Sequence, residues 1–155
     1  MQILVYGYGN PGREDDGLGS ELVRRLEDWS KVINYQGLSF DSNYQLNIED
    51  ADAIAEKDLV IFVDASTEDI KDFILTEVTG ERDVSFTTHA ASPGYIVKLC
   101  EELFNKKPEV YLLHIKGYCW EFREGLSPQA ESNLIKALQY LKEYLLNLQN
   151  QNTII

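Results

Sequence analysis

Cysteine is scarce in this chain, with only Cys100 and Cys119 among 155 residues. Two cysteines without a Cys-x-x-Cys pair build neither a disulfide framework nor a thiolate zinc site, and thioredoxin-type exchange is excluded with them. Cys100 falls on a helical apolar stripe and reads as a core residue. Basic residues are also in deficit: Lys+Arg number 14 against 26 Asp+Glu, a formal net charge of -12. A field of that sign repels nucleic-acid backbones and anionic membrane surfaces, so neither is expected as a partner. Long apolar runs are missing as well. The opening "MQILVYG" ends its run within a few residues, too soon for a signal peptide or a membrane span, and a cytoplasmic location is expected. Repeats, low-complexity linkers and composition breaks are lacking, so residues 1–155 read as a single domain, expected to be monomeric. Hydrophobic residues make up 44% of the chain, enough for a real core rather than disorder.

What is present alternates between strand and helix patterns. "QILVYG" is a strand buried on both faces. "DDGLGSELVRRLEDWS" is a helix with Leu18, Leu22, Leu26 and Trp29 inward, and Asp15 or Asp16 as its N-cap. "KVINYQG" reads as a second strand, and "NIEDADAIAEKD" as a short helix capped by Asn47. "LVIFVDAST" is the strongest buried strand and is expected to stop at Asp64. "DFILTEVTG" follows as a strand with one exposed face. Ser92 and Pro93 open a helix whose inward stripe is Ile96, Leu99, Cys100, Leu103 and Phe104. "EVYLLHIKG" is a strand, and Ser127-Pro128 opens a terminal helix with Leu134, Leu138, Leu141, Leu145 and Leu148 inward and a frayed Asn/Gln-rich tail.

This order predicts an α/β fold: a three-layer α/β/α sandwich, phosphorylase/hydrolase-like, around a mostly parallel twisted sheet of about five strands. Functional groups in such sheets gather outside the carboxyl ends of the strands. Three loops meet that condition, residues 7–19, 64–67 and 87–92.

The first loop, "YGYGNPGREDDGLG", spells Gly-x-Gly-x-x-Gly at Gly7, Gly9 and Gly12. A dinucleotide site needs free N–H groups of a helix start to hold pyrophosphate. Here Glu14, Asp15 and Asp16 stand where the anion would sit and repel it. The expected second strand ends in Gln36 and Gly37, with no acid for a ribose hydroxyl. The carboxylates therefore reverse the sign of the loop. One of the two aspartates suffices as a cap, the simplest role for Asp15, which leaves Asp16 to point into the crevice.

Asp64 follows a buried strand and lies where the crevice opens, although capping the next turn is the simpler role for such a residue. His89, in "TTHAASPG", is one of two histidines, and a loop histidine is most simply bonded to backbone. His114 alternates within a strand and reads as a packing or surface residue. Asp16, Asp64 and His89 fall on loops at one sheet edge, and two carboxylates with one imidazole suit zinc, nickel or iron with open positions. No His-Glu-x-x-His helix and no Gly-x-Ser-x-Gly elbow occurs, which argues against thermolysin-like and serine-hydrolase chemistry.

"GYGNPGREDDGLG", "VIFVDAS" and "THAASPG", in this order and spacing, resemble the hydrogenase maturation endopeptidases, the nickel-dependent C-terminal processing family. The similarity spans nearly the whole chain. It implies an endopeptidase that removes a short C-terminal extension from the large-subunit precursor of a NiFe hydrogenase after nickel insertion. Motif by motif, the family's metal-contacting and catalytic positions fall on Asp16, Asp64 and His89. Gly7, Gly9, Asn10, Asp15 and Gly17 become motif-loop residues. The resemblance also implies that the nickel comes with the precursor, with zinc or cadmium able to stand in for it in a crystal. Many relatives carry glutamate at the position of Asp16, so the shorter arm sets any ion about one methylene further back and leaves Asp15 as a candidate to share the role.

Two other readings compete. A peptidyl-tRNA hydrolase shares the Gly-x-Gly-Asn-Pro-Gly opening, but it needs a histidine soon after the motif and a basic tRNA face, and this chain has neither. A non-catalytic hydrogenase-assembly chaperone or nickel-delivery protein could use the same three residues.

Overall fold

The computed structural model describes residues 1–80 and 91–153. Five strands form one sheet: β1 (Ile3–Tyr8), β2 (Leu38–Asn43), β3 (Leu59–Ser66), β4 (Phe73–Glu77) and β5 (Glu109–Lys116). Their order is β2-β1-β3-β5-β4. Neighbouring strands run parallel except β4, which pairs antiparallel with β5 at one edge. The unbroken apolar runs of β1 and β3 lie in the middle of the sheet, where both faces are covered.

Successive strand residues point to opposite faces and feed two separate cores. On one face Ile3, Val5, Ile61, Val63 and Leu113 meet Leu18, Leu22 and Leu26 of α1 (Leu18–Val32) and Leu134, Leu141 and Leu145 of α4 (Pro128–Thr153). On the other, Leu4, Tyr6, Val60, Phe62 and Val110 meet Ile54 of α2 (Asp50–Ala55) and Ile96 and Cys100 of α3 (Pro93–Phe104). The result is the expected three-layer α/β/α sandwich. No helix of the described residues is long and apolar enough to cross a membrane.

Several local expectations need correction. The second strand is not at residues 31–37, because α1 continues through Val32 and the chain then turns at Asn34 and Gly37, at φ 55° and 82°. The true strand, "LSFDSN", is a half-exposed edge without an apolar run, so its sequence carries little strand signal. Asn47 does not cap α2; the Asp50 carboxylate instead accepts from the Asn47 N–H at 2.8 Å. β3 runs past Asp64 because Ala65 and Ser66 still pair with Ile115 and Lys116. Leu103 and Phe104 are exposed at the end of α3, and Val97 takes the inward place. α4 stays helical to Thr153, through the tail expected to fray. Ser92 does cap α3, accepting from the Tyr95 N–H at 3.1 Å. Ser127 caps α4 the same way through the Ala130 N–H.

Candidate functional site

The loop after β1 is folded tightly onto the sheet. A Cβ on Gly7 would stand 2.2 Å from the Gly19 carbonyl oxygen, so only glycine lets the start of α1 rest on the strand. Gly9 sits at φ 134°, and a Cβ there would stand 2.1 Å from the Asp16 carbonyl oxygen. The loop thus doubles back until Gly9 touches Asp16. Asn10 locks the turn in two ways: its side-chain oxygen accepts from the Gly12 N–H at 2.9 Å, and its carbonyl accepts from the Arg13 N–H at 3.1 Å. Its own N–H donates to Asp16 Oδ2 at 2.8 Å. Gly17, last in the 3-10 turn Glu14–Gly17, packs on Pro11.

Asp15 and Asp16 part company in that turn. Asp15 is fully buried and does not cap α1, whose N-cap is Gly17 with no side-chain bond. Asp15 Oδ2 accepts from the Tyr118 and Cys119 N–H groups at 2.7 and 2.9 Å and from the Ser127 hydroxyl at 2.7 Å. Its Oδ1 accepts from the Ser127 N–H at 2.7 Å. Burial alone would raise this carboxyl, but the bonds from Ser127, Tyr118 and Cys119 outweigh it and hold the group below the usual carboxylate range. The expected cap is therefore an anchor for the chain between β5 and α4.

Asp64 stands in register with His114 on β5, one residue beyond the Gly7–Val63 pair that ends the contact of β1 with β3. Tyr8 is the next residue of β1, and its ring meets Phe62 edge-on at 6.4 Å between centroids. The Tyr8 hydroxyl and the Asp64 carboxylate lie close enough to influence each other's ionisation. Burial pushes the Asp64 carboxyl up to about 7, and the charge of Asp16 pushes the same way, against the opposing influence of the Tyr8 hydroxyl and the Ala65 N–H. The same surroundings drive the Tyr8 phenol far above its ordinary value, burial first and then the neighbouring Asp64.

The structure thus brings Asp16 and Asp64 within electrostatic reach of one another. A carboxylate that burial and a neighbouring acid both disfavour as an anion suits a divalent cation, which would stabilise its charged form. His89, the third residue expected here, lies outside the described residues. Among the described residues no three His, Cys, Asp or Glu side chains converge as a metal-holding group. His114 bonds Thr76 Oγ1 through Nε2 at 3.0 Å, and burial lowers its pKa, so it is a packing residue as expected. Tyr8 is the site residue that sequence reasoning passed over. Its signal was parity: along β1 it points to the same face as Tyr6, towards the partner strand's Phe62 and Asp64.

No family model matches the sequence, and no curated protein sequence matches it. Solved structures do match in fold. A NiFe hydrogenase maturation protease HycI from Thermococcus kodakarensis superposes with a TM-score of 0.74 at 21% identity, over 93% of this chain and 92% of that one. The chain has the fold of the hydrogenase maturation proteases. The hydrogenase maturating endopeptidase HybD from E. coli gives a TM-score of 0.69 at 21% identity, covering 95% of this chain and 93% of that one. A hydrogenase 2 maturation peptidase from a Thaumarchaeota archaeon gives 0.66 at 18% identity, covering 94% and 98%. In this maturation-protease fold the Asp16–Asp64 pair occupies the carboxyl edge of the parallel strands, where α/β sheets place their sites.

Proposed function

We propose that the chain is an endopeptidase that removes the C-terminal extension of a NiFe hydrogenase large-subunit precursor after nickel insertion, in the cytoplasm. The observation that carries this reading is the pair of carboxylates at the sheet edge, with Asp64 pushed up to about 7, first by burial and further by Asp16 beside it. The fold shared with maturation proteases and the three sequence motifs support it. Asp16, Asp64 and His89 are the residues that contact the nickel, which arrives as part of the substrate.

The chemistry follows from the donor set. An ion held at a carboxylate pair acts as a Lewis acid on a nearby carbonyl or water. Asp64 gives up its proton as a cation approaches, since the positive charge stabilises a carboxylate that burial, and secondarily Asp16, otherwise keeps protonated. Asp16 is aimed by the Asn10 N–H, which occupies one oxygen and fixes the plane of the carboxylate.

Purified protein incubated with a nickel-loaded and a nickel-free precursor provides the test, read as the mass of the large subunit. The loaded precursor is expected to lose its extension and the nickel-free one to keep it. A loaded precursor that binds and stays intact would make the protein an assembly chaperone or nickel carrier instead.

A further inference from the structure

The three residues before Asp16 all bind the segment between β5 and α4. Arg13 Nε donates to the Trp120 carbonyl at 2.9 Å, and its guanidinium lies 5.9 Å from the centre of the Phe122 ring. The Glu14 N–H donates to the Arg123 carbonyl at 2.7 Å, and its carboxylate accepts from the Glu121 N–H at 3.1 Å. The Asp15 N–H donates to the Cys119 carbonyl at 3.0 Å, and its carboxylate takes the bonds from Tyr118, Cys119 and Ser127. Glu14 is held at φ 45°, a conformation that persists in a non-glycine residue only where its surroundings enforce it.

We propose that Asp15 is a positioning residue for Asp16. By clasping residues 118–127, its buried carboxylate locks the turn Glu14–Gly17 and so fixes where the next side chain points. It is fully buried and already accepts four bonds from the clasped segment, which leaves Asp15 no part in holding an ion. The role of Asp16 is thereby separated from that of its neighbour: one acid faces the cleft, the other sets its aim. The kinetic part of the test rests on the endopeptidase reading, and the spectroscopic part does not.

Asp15→Asn keeps the shape but replaces an acceptor oxygen with an NH2 group that cannot accept from the clasp. The Asn10 amide, bonded to the Asp16 carboxylate, reports the aim of Asp16 directly by NMR. In Asp15→Asn that amide is expected to exchange at least about tenfold faster while the Ile61 and Val63 amides in the sheet keep their protection, as a displaced carboxylate no longer shields it. On nickel-loaded precursor, kcat per folded molecule is expected to fall roughly 100-fold with KM little changed, the cost of misplacing a reacting group by about 1 Å. An unchanged Asn10 amide, or an unchanged kcat, overturns the proposal. Should Asp15→Asn fail to fold, Ser127→Ala carries the test: it removes one donor, also uncaps α4, and is expected to move the same Asn10 signal by less. No movement there overturns the proposal too. If the wild-type protein does not cut the precursor, the endopeptidase reading falls and the Asn10 amide alone decides.

Discussion

Asn10 donates its backbone N–H to Asp16 Oδ2 at 2.8 Å across a loop that Gly9 lets double back. That bond explains why a loop spelled like a phosphate cradle works with the opposite sign. In a dinucleotide site the N–H groups of such a loop face an anionic ligand. Here one of them faces the chain's own carboxylate.

Gly9→Ala tests the loop. The backbone at φ 134° disfavours any side chain by about 1–3 kcal/mol, and the 2.1 Å approach to the Asp16 carbonyl adds to it. Urea denaturation is expected to show a loss of about 3 kcal/mol or more. A variant as stable as the wild type would mean that the loop relaxes freely and does not hold Asp16.

Tyr8→Phe tests the influence of the hydroxyl on Asp64. The ring and its packing on Phe62 remain, and only the hydroxyl is lost. Because the hydroxyl lowers the Asp64 pKa, its removal should move the carboxyl above its value of about 7. Carbon-13 NMR titration of the Asp64 carboxyl in both proteins reads the change directly. An unmoved or lowered titration would contradict it.

Stability should depend on pH through the same residue. The native Asp64 carboxyl keeps its proton up to about pH 7, whereas an unfolded aspartate loses it near pH 3.9. Between those values the unfolded state binds fewer protons, so stability falls as pH rises through the window, by on the order of a few kcal/mol. Asp15 works the other way: its lowered carboxyl contributes stability above the ordinary aspartate range that is lost as pH falls through its folded pKa. Asp64→Asn should therefore flatten the decline between roughly pH 4 and 7 in denaturation midpoints. Equal slopes in the two proteins would show that Asp64 is not the group responsible.

The layers of the fold were legible where one sequence pattern had one physical meaning. The apolar runs of β1 and β3 can only be central strands of a covered sheet, and the leucine stripes of α1 and α4 face the same core. β2 was misplaced because an edge strand needs no apolar run, while the chain at Val32 could equally continue a helix. That Asp16 and Asp64 fall near one sheet edge was legible from the loop after β1 and the end of the apolar stretch of β3, although β3 itself extends two residues further. Asp15 was misread as a cap because its partners, Tyr118 and Ser127, lie 103 and 112 residues away. Local reasoning sees only the nearby N–H groups. Tyr8 was hidden between two glycines, where the spelling of a loop masks the last residue of a strand.

If the chain is the endopeptidase proposed above, Asp16 and Asp64 form its working centre. The most direct test is the mass of a nickel-loaded hydrogenase large subunit after incubation with wild type, Asp16→Ala and Asp64→Ala, each first shown to be folded by circular dichroism. Removing a group that acts at the reacting centre should cost at least about 100-fold in rate, so the wild type should yield the shortened subunit and both variants the full-length precursor. A shortened subunit from both variants at the wild-type rate would contradict the claim.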